Sequence, residues 1–407
     1  MISEDDADQE ARALEQVLAA YSSYQRFALQ EYYEPRFKKW QSLSSHQREL
    51  VPWYGRYLNL LKDAIGCNAL FLSEVVTFAK SMIGIQTCVE DWPPPSRMDL
   101  EKTVSMITQV YREWSEECEV ERSLLLHRVL KRLKLQCDNP TCTRVLIPGA
   151  GTGRLMADLV KKGYYCESNE FSYHMLVMSM YILNGGLRKG QKTIYPFIHT
   201  FSHWKSRKGH LRSVAIPDFD IYSELGENDH MSMSSGSFID CYGPNEKIRA
   251  SNTYSVSPRM KLIRAEMESA VSVVITNFFI DTSSNILDYL ETIKHVLVPG
   301  GLWINFGPLL YHFECDDQVE TTFEVDLYTG EKTELCEYVP LKGLELTADD
   351  ILEVSEMKLN FKCLAKEFGI ECGYGRPASG FSYMCNYWVL QKQETYETKI
   401  LRQIIEP

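Results

Sequence analysis

Residues Val145–Leu155 read VLIPGAGTGRL. An apolar run, Val145, Leu146 and Ile147, enters a Gly-Ala-Gly-x-Gly turn, and the amphipathic stretch LMADLVKKG follows. The pattern predicts a buried parallel strand over 144–148, a tight loop, and a helix over 153–162. Glycines at Gly149, Gly151 and Gly153 let the backbone turn sharply and lie against a flat ligand, which a Cβ would prevent. Twenty-one residues after Gly149, a second βα unit (strand about 164–168, in YYCESNEF) brings Glu170 to a strand end. A carboxylate there can accept hydrogen bonds from both hydroxyls of a ribose. These features describe a nucleoside-binding α/β domain.

A glycine turn of this kind serves dinucleotide enzymes and methyltransferases alike. Pro148 ahead of the first glycine favours S-adenosylmethionine over a nicotinamide or flavin nucleotide, as does spacing that lacks a third glycine tuned to pyrophosphate. Farther on, NILDYLETIKHVL, VPGG and LWINFG spell helix, turn and returning strand, a frequent late element of such methyltransferases. A helix over 172–184, a strand SVVITNFF leading to Asp281, a helix near 347–368 and a last strand, SYMCNYWVLQ, complete the alternation. The expected fold is a Rossmann-like class I methyltransferase: α/β, doubly wound, with a mostly parallel sheet and an N-terminal helical region. That region is residues 1–98. It has helical periodicity from Ala11 to about Leu61 and a further helix from about Ala69 to Ile85. The three prolines of DWPPPSRMD, Asp91–Asp99, interrupt it and read as a hinge. The methyltransferase domain, 99–407, opens on a long helix from Asp99 to about Lys134. It carries a loop-rich part at 185–270 and an acidic, insertion-like segment at 314–345.

At 407 residues the chain exceeds the size at which one core usually stops growing. A net charge of −12 argues against a nucleic-acid backbone as partner. The basic stretch His203–Arg212 reads as a solvated loop or, alternatively, a local phosphate patch. The 12 cysteines form no CxxC pair and no Cys/His cluster with zinc spacing, so neither a disulfide scaffold nor a metal site is expected. MISEDDADQEARALE has neither the basic nor the apolar region of a signal peptide, and no run reaches the ~20 apolar residues of a membrane span. A cytoplasmic protein is expected, with the nucleus as a second compartment. The apolar faces carrying Tyr21, Tyr24 and Phe27 point to a homodimer through the N-terminal helices.

Four further segments carry a resemblance. Together with PGAGTGRL, NEFSYHMLVMSMYILN, IYPFIHTFSH, FFIDTSSNILDYLETI and GGLWINFGPLLYHFE closely resemble the carnosine N-methyltransferase family, over about residues 100–390. That family methylates the imidazole of β-alanyl-histidine to give anserine, using S-adenosylmethionine and releasing S-adenosylhomocysteine. The resemblance implies donor contacts from Gln109 and Arg112 (QVYREW), Gly149 and Gly151 in the turn, and Glu170. It implies adenine-side contacts from Ser237 and Phe238 (GSFID) and from Asn277, which ends VVITN. Dipeptide contacts would be Asp281 (FIDT), His312 (LLYHF), Tyr383 (SYMC) and Tyr374 (CGYG). The chain departs from the family at Ser237, where an Asp is normal, and at Asn277, where a Cys is usual.

The residue types suit the chemistry. A neutral imidazole nitrogen is a fair nucleophile near pH 7, since histidine titrates at about 6.5. The enzyme must mainly align it with the methyl group. A His and a Tyr can fix the ring by hydrogen bonds. An Asp just beyond a sheet strand can hold the dipeptide's amine or offset ring charge. Asp281 also reads as a cap of the following helix, and His312 as a core histidine among Leu309, Leu310, Tyr311 and Phe313. A histidine in a protein or peptide is the alternative substrate, and an inactive binding protein is the alternative from another class.

Overall fold

The computed structural model describes residues 4–136, 139–226, 229–245, 258–314, 323–325, 332–334, 342–375 and 381–394. Its first third is helical: α1 (Glu4–Ala28), α2 (Glu34–Gln41), α3 (Ser45–Leu50), α4 (Tyr54–Ile83), α5 (Arg97–Trp114) and α6 (Glu119–Gln136). Strand β1 (Arg144–Pro148) then leads through the glycine turn to α7 (Arg154–Val160), β2 (Tyr165–Glu170) and α8 (Tyr173–Asn184). The middle holds β3 (Lys192–Ile194), α9 (Arg207–His210), β4 (Val214–Ile216), α10 (Ile221–Glu224), β5 (Met231–Ser235), α11 (Phe238–Tyr242) and α12 (Pro258–Glu266). The chain continues through β6 (Val271–Asn277), α13 (Ile286–Val296), β7 (Leu297–Gly307), β8 (Phe323–Val325) and β9 (Lys332–Glu334). It closes with α14 (Ala348–Met357), β10 (Phe361–Gly373) and β11 (Ser382–Lys392).

One seven-stranded sheet, in the order β10-β11-β7-β6-β1-β2-β5, organises the molecule. Strands β5, β2, β1, β6 and β7 run parallel; β11 joins β7 antiparallel and β10 joins β11 antiparallel, so β11 alone runs against the rest of the sheet. This is the mostly parallel, doubly wound sheet of a Rossmann-like methyltransferase. Successive residues alternate between two cores, as strand geometry requires. Val145, Ile147, Val273, Ile275, Leu302 and Ile304 face one core, shared with Tyr21, Leu61, Leu72, Val110 and Met178 of the helices. Leu146, Val274, Trp303 and Trp388 face the other, against Ile286, Leu290 and Ile293 of α13 and Ile351 of α14. From central β1 the chain builds outward through β2 and β5, then returns to place β6 on the opposite side. The strand order reverses there, and the crevice at the carboxyl ends of β1 and β6 is where such folds bind ligands.

Several boundaries differ from the sequence-based expectation. The helix expected over 99–134 breaks at Ser115, whose extended backbone (φ −97°, ψ 148°) separates α5 from α6. The two helices expected between 11 and 85 are in fact divided by a π-turn at Leu29–Tyr33 and by breaks before Ser45 and Tyr54, while α4 runs unbroken through Gly66. A mid-helix glycine costs about 1 kcal/mol, which the buried stripe of Leu58, Leu61, Ile65, Leu72 and Val76 outweighs. Within the loop-rich part expected at 185–270, Met231–Ser235 forms edge strand β5, paired with β2 from Cys166↔Met231 to Glu170↔Ser235. The helix expected to reach 368 ends at Met357, and β10 begins at Phe361 because that segment pairs with β11. Most of the acidic segment 314–345 lies outside the described residues.

The apolar side chains that pointed to a homodimer, Tyr21, Tyr24 and Phe27, are buried within the chain. The Tyr21 hydroxyl donates to the His174 carbonyl at 2.7 Å. Nor is His203–Arg212 a free loop: His210 is buried, and Arg212 pairs with Glu117. No helix among the described residues is long and apolar enough to cross a membrane.

Beneath α1 and α4, His199 shares a 2.7 Å hydrogen bond with Tyr24, and His210 lies beside Tyr57. Burial pushes these histidines down to about 3 and about 4, helped at His199 by His210 and then Arg36, and at His210 by Arg36. Both folded values lie below the unfolded value, so the unfolded chain binds protons first as the pH falls. Stability is therefore complete above about pH 6.5 and is lost progressively between there and the folded values. We expect each histidine to remove about 2 kcal/mol by pH 5. Denaturant midpoints between pH 7 and pH 5 should fall, and should fall less in a His199→Gln variant. An unchanged pH slope in that variant would contradict the assignment.

Candidate active site

At the carboxyl ends of β1, β2 and β6 lies a cavity of about 600 Å³. The glycine turn forms its floor. Gly149 has φ +63°, and a Cβ there would stand 2.3 Å from the Phe279 ring, so only glycine fits. Gly151, at φ +59°, donates its N–H to Glu170 Oε2 at 2.9 Å. Glu170 Oε1 accepts the N–H groups of Phe171 and Ser172, each at 2.9 Å. Burial lifts the Glu170 carboxyl above its ordinary range, against the pull of those three amides.

Above this floor stand aromatic rings. Phe279 and Tyr289 stack with centroids 4.7 Å apart and planes within 7°. Phe238 meets both edge-on, at 5.6 Å each. Ser237 opens the short helix α11 without capping it, and Asn277 ends β6. Phe278 then takes φ +52°, a strained value for a bulky residue, of the kind that concentrates at functional sites. Its ring faces Arg112, whose guanidinium lies 4.7 Å from it and 3.8 Å from the Tyr374 ring.

Gln109, Arg112, Gly149, Gly151, Glu170, Ser237, Phe238, Asn277, His312 and Tyr374 all line this one cavity. Asp281 and Tyr383 lie behind its wall. Tyr383 meets Tyr374 and Phe278 edge-on, at 5.6 and 5.7 Å. Asp281 is buried in the turn Ile280–Thr282, and its Oδ2 accepts the Leu310 N–H at 2.9 Å. Its carbonyl accepts the His312 N–H at 3.1 Å, which ties the His312 loop to the end of β6. Burial raises the Asp281 carboxyl, against the pull of the Leu310 N–H and, more weakly, of His312. Asp281 does not cap α13; Asn285 does, accepting the Leu287 N–H. His312 is exposed and not a core histidine.

Sequence reasoning missed Glu113, Thr152, Phe278, Phe279 and Tyr289. Glu113 had a signal, lying one helical turn beyond Gln109. Phe278, Phe279 and Tyr289 lie within FFIDTSSNILDYLETI, which carries the resemblance, but nothing local sets them facing one another; only the tertiary fold brings them together.

The family model for carnosine N-methyltransferase matches residues 89–394. The chain belongs to the carnosine N-methyltransferase family. The fission yeast (Schizosaccharomyces pombe) carnosine N-methyltransferase is 30% identical over 401 residues, covering 95% of this chain and 98% of that protein. The mouse (Mus musculus) carnosine N-methyltransferase is 30% identical over 342 residues, 80% of this chain and 78% of its own. The Drosophila melanogaster protein, carnosine N-methyltransferase unmet, is 25% identical over 427 residues, 96% and 82% respectively. A carnosine N-methyltransferase family member is an enzyme, with S-adenosylmethionine as methyl donor. The cavity fits that donor: an aromatic slot sits beside a strand-end carboxylate and a glycine turn with no room for a Cβ.

Proposed function

We propose that this chain methylates the imidazole of carnosine to give anserine. The observation that carries this reading is one cavity that holds the glycine turn and Glu170 together with His312 and Tyr374. In this reading Gln109, Arg112, Gly149, Gly151, Glu170, Ser237, Phe238 and Asn277 surround the donor. Asp281, His312, Tyr374 and Tyr383 serve the dipeptide. When bound, S-adenosylmethionine supplies an electrophilic methyl group on a sulfonium.

The chain's own residues do the rest. Glu170 takes the ribose hydroxyls on lone pairs that three backbone amides leave free. Phe238, Phe279 and Tyr289 hold a flat base and keep water out. Ser237 offers a hydroxyl where the family has a carboxylate, one hydrogen bond in place of a charged one. The His312 loop, fastened by Asp281, brings an imidazole to the acceptor side, where it and Tyr374 orient the substrate ring. Orientation is the main demand, because a neutral imidazole needs no strong base before attack.

Incubation with methyl-labelled S-adenosylmethionine, carnosine and a panel of histidine-containing peptides tests the reading. Carnosine should become labelled, with the methyl group on a ring nitrogen by NMR. Labelling of a longer peptide and not of carnosine would move the assignment to a protein histidine. Failure to bind S-adenosylhomocysteine would point to a fold retained for binding alone.

A further inference from the structure

Gln109 and Glu113 stand one turn apart on α5, on the same face and both buried. The direction of every hydrogen bond leaving this pair is set by groups that have a single option. The indole Nε1–H of Trp114 donates to Thr152 Oγ1 at 2.7 Å, and an indole can only donate. The Thr152 hydroxyl proton therefore goes to Glu113 Oε2. That oxygen also accepts the Thr152 backbone N–H, at 3.1 Å. Glu113 Oε1 accepts from Gln109 Nε2. With its nitrogen committed to Glu113, Gln109 turns its oxygen outward, and the Tyr374 hydroxyl donates to it at 3.1 Å. Tyr374 thus spends its one proton on Gln109 and keeps only lone pairs for the cavity it lines.

We propose that Glu113 is a positioning residue that sets, through Gln109, the hydrogen-bond polarity of Tyr374, so that Tyr374 accepts from the substrate and favours acceptors presenting an N–H there. This rests on the reading of the cavity as a methyl-transfer site. The consequence for a neutral imidazole is specific. One ring nitrogen bears a proton and the other a lone pair. A tyrosine oxygen that takes the N–H leaves the unprotonated nitrogen free to attack, and so selects the tautomer. Arg112, against the Tyr374 ring at 3.8 Å, and Phe278, at 5.3 Å, hold that ring in place.

Glutamine at 113 reverses the order in a defined way. A carboxamide has one accepting oxygen. If that oxygen keeps Thr152, the NH₂ group meets Gln109 Nε2, and Gln109 must flip. Its own NH₂ then faces Tyr374, whose proton is turned into the cavity, donor against donor with the substrate N–H.

The test is a double-mutant cycle of Glu113→Gln and Tyr374→Phe in the full chain. It is read on the carnosine dissociation constant with S-adenosylhomocysteine present, and on kcat and KM. Glu113→Gln should weaken carnosine binding on the order of 10-fold in the native background, with no further loss in the Tyr374→Phe background. Affinity for S-adenosylhomocysteine should change by less than about threefold in both, because the Thr152 contact is retained. Equal losses of donor and acceptor affinity, the same in both backgrounds, would overturn the proposal, since a merely structural Glu113 behaves that way. Should Glu113→Gln fail to fold, Gln109→Met cuts the same link; because Gln109 itself lines the donor side, that cycle is read only on the coupling of carnosine affinity to Tyr374→Phe, and additive losses overturn the proposal. Should the native chain not bind carnosine, the functional reading falls, and the cycle is read on ligand-free unfolding midpoints. Non-additivity there keeps the link between Glu113 and Tyr374; additivity removes it.

Discussion

Replacing Glu170 by alanine is expected to weaken S-adenosylhomocysteine binding by about a hundredfold, equivalent to about 2.7 kcal/mol. The carboxylate is the common acceptor for the N–H groups of Gly151, Phe171 and Ser172. Its removal leaves three amides of the glycine turn and the β2–α8 turn without their partner, and each costs about 1–3 kcal/mol where water cannot replace it. Loss of the ribose contact adds to this. Both effects act on the donor, so KM for S-adenosylmethionine should rise far more than KM for carnosine. Burial holds the Glu170 carboxyl above its ordinary range. Donor affinity should therefore begin to fall, as the pH is lowered, above the usual carboxylate range. Calorimetric titration of the variant, and of the native chain across pH, measures both. An alanine variant that binds within threefold of the native chain would remove Glu170 from the donor site.

The second large effect is expected at Asp281. Asparagine there should lower kcat/KM for carnosine by about a hundredfold, in the range seen when one partner of a buried charge pair is lost. S-adenosylhomocysteine binding should stay close to native. Asparagine is the informative choice because its side-chain oxygen can still accept the Leu310 N–H, and the backbone bond from His312 is untouched. The loop stays in place while the charge goes. Alanine should be worse, since it also frees the Leu310 amide and loosens the segment that carries His312. Initial rates at varied carnosine separate the two substitutions. An asparagine variant with native kcat/KM would reduce Asp281 to a tether for the loop.

Local pattern made much of this legible. A continuous apolar run before Gly-Ala-Gly-x-Gly can hardly be anything but a buried strand and its turn, and the second strand end follows at a short, fixed distance. Glu170 and the glycines could therefore be placed by counting along the chain. Asp281 was legible by its place just beyond a sheet strand, whereas His312, Tyr374 and Tyr383 came from the resemblance, because nothing local separates His312 from a core histidine or Tyr383 from packing. The illegible elements are those whose state depends on a distant partner. Met231–Ser235 is a strand only because β2 offers an edge, and Phe361–Gly373 leaves the helical pattern because β11 pairs with it.

The sequence by itself determined the Rossmann-like fold, the position of the glycine turn and the strand-end carboxylate, since each depends on neighbours a few residues away. Tertiary structure alone decided which rings form the aromatic slot and that Asp281 holds the His312 loop. It also decided that Gln109 and Tyr374, 265 residues apart, share one hydrogen bond. The physical reason is range: backbone conformation is set within a turn or a strand, whereas the direction of a hydrogen bond is set by whatever donor or acceptor the whole fold brings to its other end.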